Sequence, residues 1–253
     1  AGVELIHSAT LIHDDINDGS DTRRGRIAAY KKYGIQKAII TGDFLFVQGF
    51  RLGASHNNRE IVEMVGDACT AMAESEILQL DVERDSDLPL ETYMRIIDGK
   101  TARPIMASAM VGAFFGKGSA DQIDALGKYG LNIGYAFQIV DDILDIDGQE
   151  ASIGKPLGMD ILDSKANLPL MIAMHRGGKG SERIKEIFKA PKKTWEEIDE
   201  ALALVRSSGA VDEARKNAAD FRDKALSALH DIAPSKYHDS LRELASTVLE
   251  RSN

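Results

Sequence analysis

Apolar residues recur at every third or fourth position along most of this chain, which is the spacing that lines one face of an α-helix. Alternation of apolar and polar residues between turn signals, the pattern of a strand, is absent. We therefore predict an all-α fold in one domain over residues 1–253. The pattern predicts helices over residues 2–18, 36–54, 59–82, 90–116, 119–147, 160–176, 194–206, 209–231 and 238–251.

One proline interrupts this pattern. Pro104 falls inside the helix predicted over 90–116, shortly after Lys100 and Thr101. Proline cannot donate a backbone hydrogen bond and its ring crowds the preceding turn, so we expect a kink close to these two residues.

Composition and charge narrow the class of protein. A formal net charge of −9 argues against nucleic acid or an anionic membrane surface as the main partner. No apolar run approaches the ~20 residues that cross a bilayer, so no transmembrane segment is predicted. A single cysteine, Cys69, rules out an internal disulfide and fits a reducing compartment, and we expect a cytoplasmic protein.

Two aspartate clusters of the same form lie in apolar, helix-like stretches: residues 14–18 (Asp-Asp-Ile-Asn-Asp) and 141–145 (Asp-Asp-Ile-Leu-Asp). In a helix, the first and third carboxylates of each cluster lie one turn apart on one face. Like charges at that spacing repel by roughly 0.2–0.5 kcal/mol, so a bound cation is expected there. Oxygen ligands of this kind suit Mg²⁺. The candidate metal ligands are Asp14, Asp15, Asp18, Asp141, Asp142 and Asp145.

Basic residues follow each cluster. Arg23 and Arg24 come after the first in a turn-rich segment, and Lys155 and Lys165 come after the second. Arginine presents a planar fork of donors that matches a phosphate group, and lysine presents a compact charge. A single cluster of this kind could equally be a solvated surface. Two matched clusters with basic followers instead favour a site for a diphosphate bridged by Mg²⁺.

Further motifs occur around these clusters, at residues 6–15 with 23–25, 42–45, 99–102, 137–142 and 154–156. In order and spacing they resemble the motifs of the trans-isoprenyl (polyprenyl) diphosphate synthases, over nearly the whole chain. The resemblance implies the type I isoprenoid synthase fold, a single-domain bundle of helices around a central cavity. It also implies a Mg²⁺-dependent prenyltransferase that joins isopentenyl diphosphate to an allylic diphosphate by ionisation, condensation and elimination.

That resemblance also implies a role for each polar residue. The candidate catalytic residues are Lys100, Thr101 and Gln138, and oxygen atoms of the last two are expected to face the allylic cation. His7 and Arg24 are expected to bind isopentenyl diphosphate. The number of ions follows from charge instead, because the six carboxylates carry a formal charge of −6 that three Mg²⁺ ions in each active site would balance. The residues expected to bind the allylic diphosphate are Arg23, Lys100, Lys155 and Lys165.

Family members commonly form homodimers, so we expect one here. The apolar stretch over residues 107–115 suits a helix–helix interface between two copies. The same stretch could also be a buried helix of the core, and the sequence does not separate these two roles.

Product length depends on the residues before the first cluster. Ala9 and Thr10 are small where short-product members of the family often have an aromatic ring that blocks the growing chain. We therefore expect a medium or long product, longer than the fifteen-carbon farnesyl, with geranylgeranyl as the nearest alternative. Ile6 and Leu5, one turn further from the aspartates, are expected to set the final stop, with helices before this point as the alternative.

The chain starts already in helical register, without a capping residue before residue 2. Family members usually carry two or three helices before this point, including a segment that helps to bind isopentenyl diphosphate. We expect that the chain is a truncated portion of such a protein rather than a non-standard subunit.

Three other functions are open at this stage. A class I terpene cyclase shares the fold but normally has an Asn/Ser/Glu triad in place of the second cluster. An all-α nucleotide pyrophosphohydrolase typically relies on Glu-rich pairs closer in sequence, and it would not explain the basic residues. A non-catalytic partner subunit of a heteromeric synthase would have lost aspartates, and all six are present here. The sequence therefore favours the prenyltransferase.

Overall fold

The structure is a computed structural model, and it describes residues 1–148 and 156–250. Its contacts divide the chain into two compact units, Ala1–Asp67 and a larger unit from Ala68 onward. The prediction of an all-α fold is confirmed, because helices make up almost all the regular structure described. None of the helices in the described part of the chain is both long and apolar enough to cross a membrane.

The first unit is built from helices and one short hairpin. The hairpin is an antiparallel ribbon in which Thr22 pairs with Ile27 and Arg23 pairs with Arg26. Sequence periodicity did not predict it, since strands of two residues are too short to show alternation. The elements are α1 (Gly2–Asn17), β1 (Thr22–Arg23), β2 (Arg26–Ile27), α2 (Ala29–Tyr33), α3 (Ile35–Ala54) and the beginning of α4 (Arg59–Asp81).

Two glycines of α3 allow α1 to pack against it closely. A Cβ atom on Gly42 would lie 2.3 Å from Nε2 of His13, and one on Gly49 would lie 2.6 Å from Cγ1 of Ile6. Neither gap has room for a side chain, so packing requires glycine at both positions. The His13 ring also lies 3.3 Å from the carbonyl oxygen of Ile39. His13 is therefore a packing residue of this helix pair, although it directly precedes the first aspartate cluster.

The second unit is organised around one long helix, α7 (Ala120–Asp147). Its apolar face carries fully buried isoleucines, among them Ile143 and Ile146, which belong to the main core of this unit. A capping box starts the helix, with reciprocal hydrogen bonds between Ser119 and Gln122. The other elements are α5 (Leu90–Ile97), a π-helical segment (Asp98–Ala102), α6 (Arg103–Phe115), α8 (Met159–Leu162), α9 (Leu168–His175), α10 (Lys179–Lys189), α11 (Trp195–Ser207), α12 (Ala210–Ala228) and α13 (Lys236–Glu250).

The helix predicted over 90–116 is divided by the π-helical segment Asp98–Ala102. This segment packs closely on α4, because a Cβ atom on Gly99 would lie only 2.3 Å from the carbonyl oxygen of Ala71. Pro104 follows in the first turn of α6, where a missing N–H group is tolerated. The irregularity expected near Pro104 therefore takes the form of a π-helical segment, a feature that is frequent at functional sites.

Two further differences from the predicted secondary structure lie in the second unit. The single helix predicted over 160–176 is two helices, α8 and α9, because Ser164 has a positive φ of 56° and the Asn167 side chain caps the start of α9. Helix α10 was not predicted, because charged residues dominate its sequence although one face buries Ile187 and Phe188.

Candidate functional site

The first aspartate cluster lies at the C-terminal end of α1, in the first unit. Asp15 is buried, with 3% of its surface exposed. Its Oδ1 accepts a hydrogen bond from Nε of Arg23 at 2.7 Å and forms an ion pair with Nη2 of the same side chain at 2.5 Å. Asp14 and Asp18 lie one turn apart and are both partly exposed. The cluster therefore consists of a buried anchor for Arg23 and two carboxylates that solvent can reach.

The hairpin after α1 holds the two neighbouring arginines in different ways. Arg24 and Gly25 form its turn with φ values of 51° and 73°, the left-handed values that a type I′ turn requires at both central positions. Arg24 is exposed at this turn. Arg23 lies in β1, and its guanidinium is fixed on Asp15 by the ion pair.

The other candidate residues of α1 differ in burial. His7 is exposed two turns before the cluster, and its carbonyl oxygen accepts a hydrogen bond from the Thr10 hydroxyl at 2.8 Å. Ala9 is completely buried, and Ile6 packs against Gly49 of α3. The Ile6 side chain thus takes part in helix packing within the first unit, and its role in product length stays a prediction.

The second aspartate cluster lies near the C-terminal end of α7, in the second unit. Asp141 is exposed, whereas Asp142 and Asp145 have only 5% and 2% of their surface exposed. The Asp145 carboxylate accepts hydrogen bonds from the backbone N–H groups of Met159 (3.2 Å) and Asp160 (3.0 Å) at the start of α8. A carboxylate in this place stabilises a helix N-terminus, and here it also fixes α8 to α7.

Asp142 accepts three hydrogen bonds from different parts of the second unit. Its Oδ2 accepts from the Tyr93 hydroxyl at 2.6 Å and from the N–H of Leu168 at 2.9 Å, and its Oδ1 accepts from Nε2 of Gln138 at 3.0 Å. Burial, and then the negative charge of Asp160, raise the pKa of Asp142 to about 8. Burial is also the main reason why the pKa of Tyr93 is raised.

Thr101 and Gln138 are 37 residues apart in the sequence and in contact in the structure. The Thr101 hydroxyl donates a hydrogen bond to Oε1 of Gln138 at 2.7 Å. A continuous chain of hydrogen bonds therefore runs from Tyr93 through Asp142 and Gln138 to Thr101. Tyr93 was not identified from the sequence, although a tyrosine on the buried face of a helix needs a partner for its hydroxyl.

Lys100 is held by side chains of α4. Its Nζ donates hydrogen bonds to Oε2 of Glu76 at 2.6 Å and to Oε1 of Gln79 at 2.8 Å. Neither partner was predicted as a site residue, and the signal that could have identified them is their spacing of three on one helix face. Lys165 is half-buried between α8 and α9. Lys155 lies outside the described residues.

Mg²⁺ fits the chemistry of the accessible carboxylates. Within residues 1–148 and 156–250, no three Asp, Glu, His or Cys side chains converge to form a complete metal cage. Mg²⁺ is usually held by one or two carboxylates and completes its shell with water and substrate phosphates, so a full cage of protein ligands is not required. In the first unit, the carboxylates that could hold an ion are those of Asp14 and Asp18 on α1, and in the second unit it is that of Asp141 on α7.

Comparison with known proteins identifies relatives over the whole chain. The family model for polyprenyl synthetase matches residues 1–205. An octaprenyl diphosphate synthase from Haemophilus influenzae is 36% identical, and the match covers 99% of this chain and 76% of the relative. A short chain isoprenyl diphosphate synthase from Methanothermobacter thermautotrophicus is 37% identical, with coverage of 100% and 79%.

Solved structures show the same fold. The chain is similar to a polyprenyl synthase from Caulobacter crescentus that was crystallised with calcium and isoprenyl diphosphate. The TM-score is 0.95 at 37% sequence identity, and the match covers 100% of this chain and 77% of that chain. This similarity confirms the fold type that the sequence motifs predicted.

Proposed function

The chain belongs to the polyprenyl synthetase family and is a trans-prenyltransferase enzyme, and we propose that it joins isopentenyl diphosphate to an allylic diphosphate. The proposed product is a trans-polyprenyl diphosphate longer than farnesyl. Three features of the described residues support this proposal. Each aspartate cluster has an accessible carboxylate, two cations are held in place by acidic partners, and the oxygen atoms of Thr101 and Gln138 lie close to the second cluster.

One observation carries the proposal, which is that the first two aspartates of both clusters divide in the same way. In each, the first aspartate is at least partly exposed, while the second is buried and accepts hydrogen bonds from protein side chains. Asp14, Asp18 and Asp141 would therefore hold Mg²⁺, with Asp15 and Asp142 as buried supports. The number of ions, three if they balance the six carboxylates, stays a prediction.

Basic residues would bind the diphosphate of the allylic substrate. Arg23 uses Nε and Nη2 on Asp15, which leaves the donors of Nη1 for a phosphate oxygen. The ammonium group of Lys100 has three donors, of which two reach Glu76 and Gln79. These partners already hold the side chains of both cations in place. Little further ordering of these side chains is therefore needed when the substrate binds.

The reaction follows from these positions. Mg²⁺, when bound, neutralises the negative charge that develops on the leaving diphosphate. The allylic C–O bond breaks, its electron pair leaves with the diphosphate, and the oxygen atoms of Thr101 and Gln138 stabilise the allylic cation. The double bond of isopentenyl diphosphate attacks this cation and forms a carbon–carbon bond. A proton is then lost, and we assign it to the departing diphosphate.

Two observations support the proposed product length: the small residues before the first cluster and the similarity to an octaprenyl diphosphate synthase. Both favour a medium or long chain over geranylgeranyl. The short chain relative of similar identity shows that overall similarity alone does not determine the product of a given chain. The residues at positions 9 and 10 are therefore the part of this proposal that substitution must test.

We also propose that the enzyme is a homodimer, and its cytoplasmic location stays a prediction. The stretch over 107–115 packs within the second unit, where a Cβ atom on Gly127 of α7 would lie 2.9 Å from Cγ of Met110. A more exposed apolar stripe lies on α3, where Ile40, Phe44 and Val47 share one face. Sedimentation of the purified chain at only the mass of a monomer would contradict the homodimer.

The proposed activity is tested by transfer of isotopically labelled isopentenyl diphosphate to an allylic primer, with products dephosphorylated and separated by chain length. We expect labelled prenyl alcohols that require Mg²⁺. A hydrocarbon made from the allylic diphosphate alone would indicate a terpene cyclase. Activity that appears only when a second, different chain is added would indicate the partner-subunit alternative.

A further inference from the structure

We propose that Asp142 and Tyr93 are positioning residues that fix the orientation of the Gln138 amide, so that its oxygen and not its nitrogen faces the allylic cation. The inference rests on the proposed prenyltransferase function, in which Gln138 and Thr101 stabilise that cation. It gives Asp142 a role different from the metal-ligand role that the sequence suggested for all six aspartates.

The geometry leaves Asp142 little capacity for a metal ion. Its side chain is 5% exposed, and both of its oxygen atoms already accept hydrogen bonds. Two of the three donors, the Tyr93 hydroxyl and the N–H of Leu168, meet on Oδ2. The remaining atom, Oδ1, lies 3.0 Å from the Gln138 amide. A buried carboxylate with this many donors is already satisfied by the protein.

The direction of the hydrogen bonds follows from the chemistry of each group. The hydrogen bond between the two side chains has Nε2 of Gln138 as its donor and Oδ1 of Asp142 as its acceptor, so the amide turns its NH₂ group toward Asp142. The amide oxygen then faces Thr101 and accepts the hydroxyl proton at 2.7 Å. With that proton committed, the lone pairs of the Thr101 hydroxyl and the second lone pair of the Gln138 oxygen are the groups that can face a cation.

Tyr93 completes this arrangement from α5. Its hydroxyl donates to Oδ2 of Asp142 at 2.6 Å and thereby holds the Asp142 side chain in one rotamer. If the Gln138 amide were reversed, its NH₂ group would present positive hydrogen atoms to a carbocation, which is electrostatically unfavourable. Asp142 and Tyr93 therefore act on the reaction through Gln138, without touching the substrate.

The substitution Asp142→Asn separates this role from that of a metal ligand. The oxygen of Asn must stay on the Tyr93 and Leu168 donors, so its NH₂ group replaces Oδ1 and the Gln138 amide has to reverse. We expect a loss of kcat on the order of 10- to 100-fold, with the KM of both diphosphates and the Mg²⁺ requirement nearly unchanged. A marked rise in the Mg²⁺ concentration for half-maximal activity would instead identify Asp142 as a ligand.

A double-mutant cycle tests whether the effect passes through Gln138. In a Gln138→Leu background, neither Asp142→Asn nor Tyr93→Phe should lower kcat further, because the amide that they orient is gone. Independent, multiplying losses would overturn the proposal. Tyr129→Phe is the matched control for Tyr93→Phe. Tyr129 is also buried and donates its hydroxyl to a backbone carbonyl, that of Leu241, so the control should lower stability without lowering kcat.

A second readout does not depend on activity. The side-chain NH₂ of Gln138, observed by nitrogen-15 NMR, should exchange slowly with water in the wild type because one of its protons is bonded to Asp142. Exchange should be faster in Tyr93→Phe and unchanged in Tyr129→Phe. Fast exchange in the wild type would overturn the positioning role even if the enzyme is active. Slow exchange in an inactive protein would support the hydrogen-bond chain and reject only the proposed function.

Discussion

Arg23 of the hairpin and Asp15 of α1 form a two-point ion pair, in which Nε donates a hydrogen bond to one carboxylate oxygen at 2.7 Å and Nη2 lies 2.5 Å from the same oxygen. Asp15 is buried, whereas Arg23 is partly exposed. The carboxylate thus serves to hold an arginine whose other donors can reach a diphosphate. This relationship links the first aspartate cluster to substrate binding without requiring each of its carboxylates to bind a metal.

Replacement of Asp15 by Asn should release Arg23. We expect the KM for the allylic diphosphate to rise about tenfold, with a smaller change in kcat, because Arg23 would have to be ordered when the substrate binds. Stability should fall by about 1–3 kcal/mol, since Asp15 is buried but its partner is partly solvated. Steady-state kinetics and thermal melting measure the two effects.

Arg26→Ala is the matched control for this prediction. Arg26 pairs with Arg23 across the hairpin and is exposed, but it is not one of the candidate substrate ligands. Its loss should leave the KM of the allylic diphosphate close to that of the wild type. An equal rise in KM for both variants would show that the hairpin as a whole, rather than the ion pair, determines binding.

Glu76 should matter to binding through Lys100. Glu76→Gln keeps a hydrogen-bond acceptor but removes the charge from this half-buried ion pair, so the ammonium group is held less firmly. We expect a rise of about three- to tenfold in the KM for the allylic diphosphate. Glu74→Gln, at an exposed position of the same helix, is the control and should have no effect. Unchanged kinetics in Glu76→Gln would contradict this role of the ion pair.

Ala9→Phe should shorten the product if the space beside α1 limits chain growth. The first condensation should continue, and the products should shift toward fifteen or twenty carbons in chromatography of the dephosphorylated alcohols. Ala9 is completely buried, so overpacking could cost about 1–3 kcal/mol, and melting must be measured in parallel. Thr10→Phe, at a less buried position, serves as the second variant. The prediction that small residues at positions 9 and 10 leave room for a long product has two contradicting outcomes. One is farnesol as the end point of the wild type, and the other is unchanged products when both phenylalanine variants are folded.

The helices that carry both clusters were predictable because their apolar residues keep the helical period up to the aspartates. The different roles of the aspartates were not predictable in the same way. Asp141 and Asp142 are chemically identical neighbours, and only tertiary structure buries one of them beneath Tyr93 and Leu168. Local sequence has no information about donors that arrive from residues far along the chain.

The break between α8 and α9 shows the same limit. The sequence over 160–176 has an apolar pattern compatible with one helix. Backbone N–H groups in and next to this segment, however, form hydrogen bonds with side chains of α7. Asp145 accepts from the N–H groups of Met159 and Asp160, and Asp142 accepts from that of Leu168. These contacts provide partners for backbone groups at two separate helix starts, so two short helices replace the continuous one.

The central claim is that the accessible aspartates of both clusters hold Mg²⁺ for the transfer of a prenyl group. The most direct measurement is a Mg²⁺ titration of labelled isopentenyl diphosphate incorporation by the wild type and by Asp14→Ala, Asp141→Ala and Asp124→Ala. Asp124 is the control, since it is an exposed aspartate of α7 that forms an ion pair with Lys128 of the same helix.

We expect no incorporation without Mg²⁺, a loss of at least about 100-fold in turnover for Asp14→Ala and Asp141→Ala, and near wild-type turnover for the control. Turnover within about tenfold of the wild type in either cluster variant, or full activity in the presence of a chelator, would contradict the account.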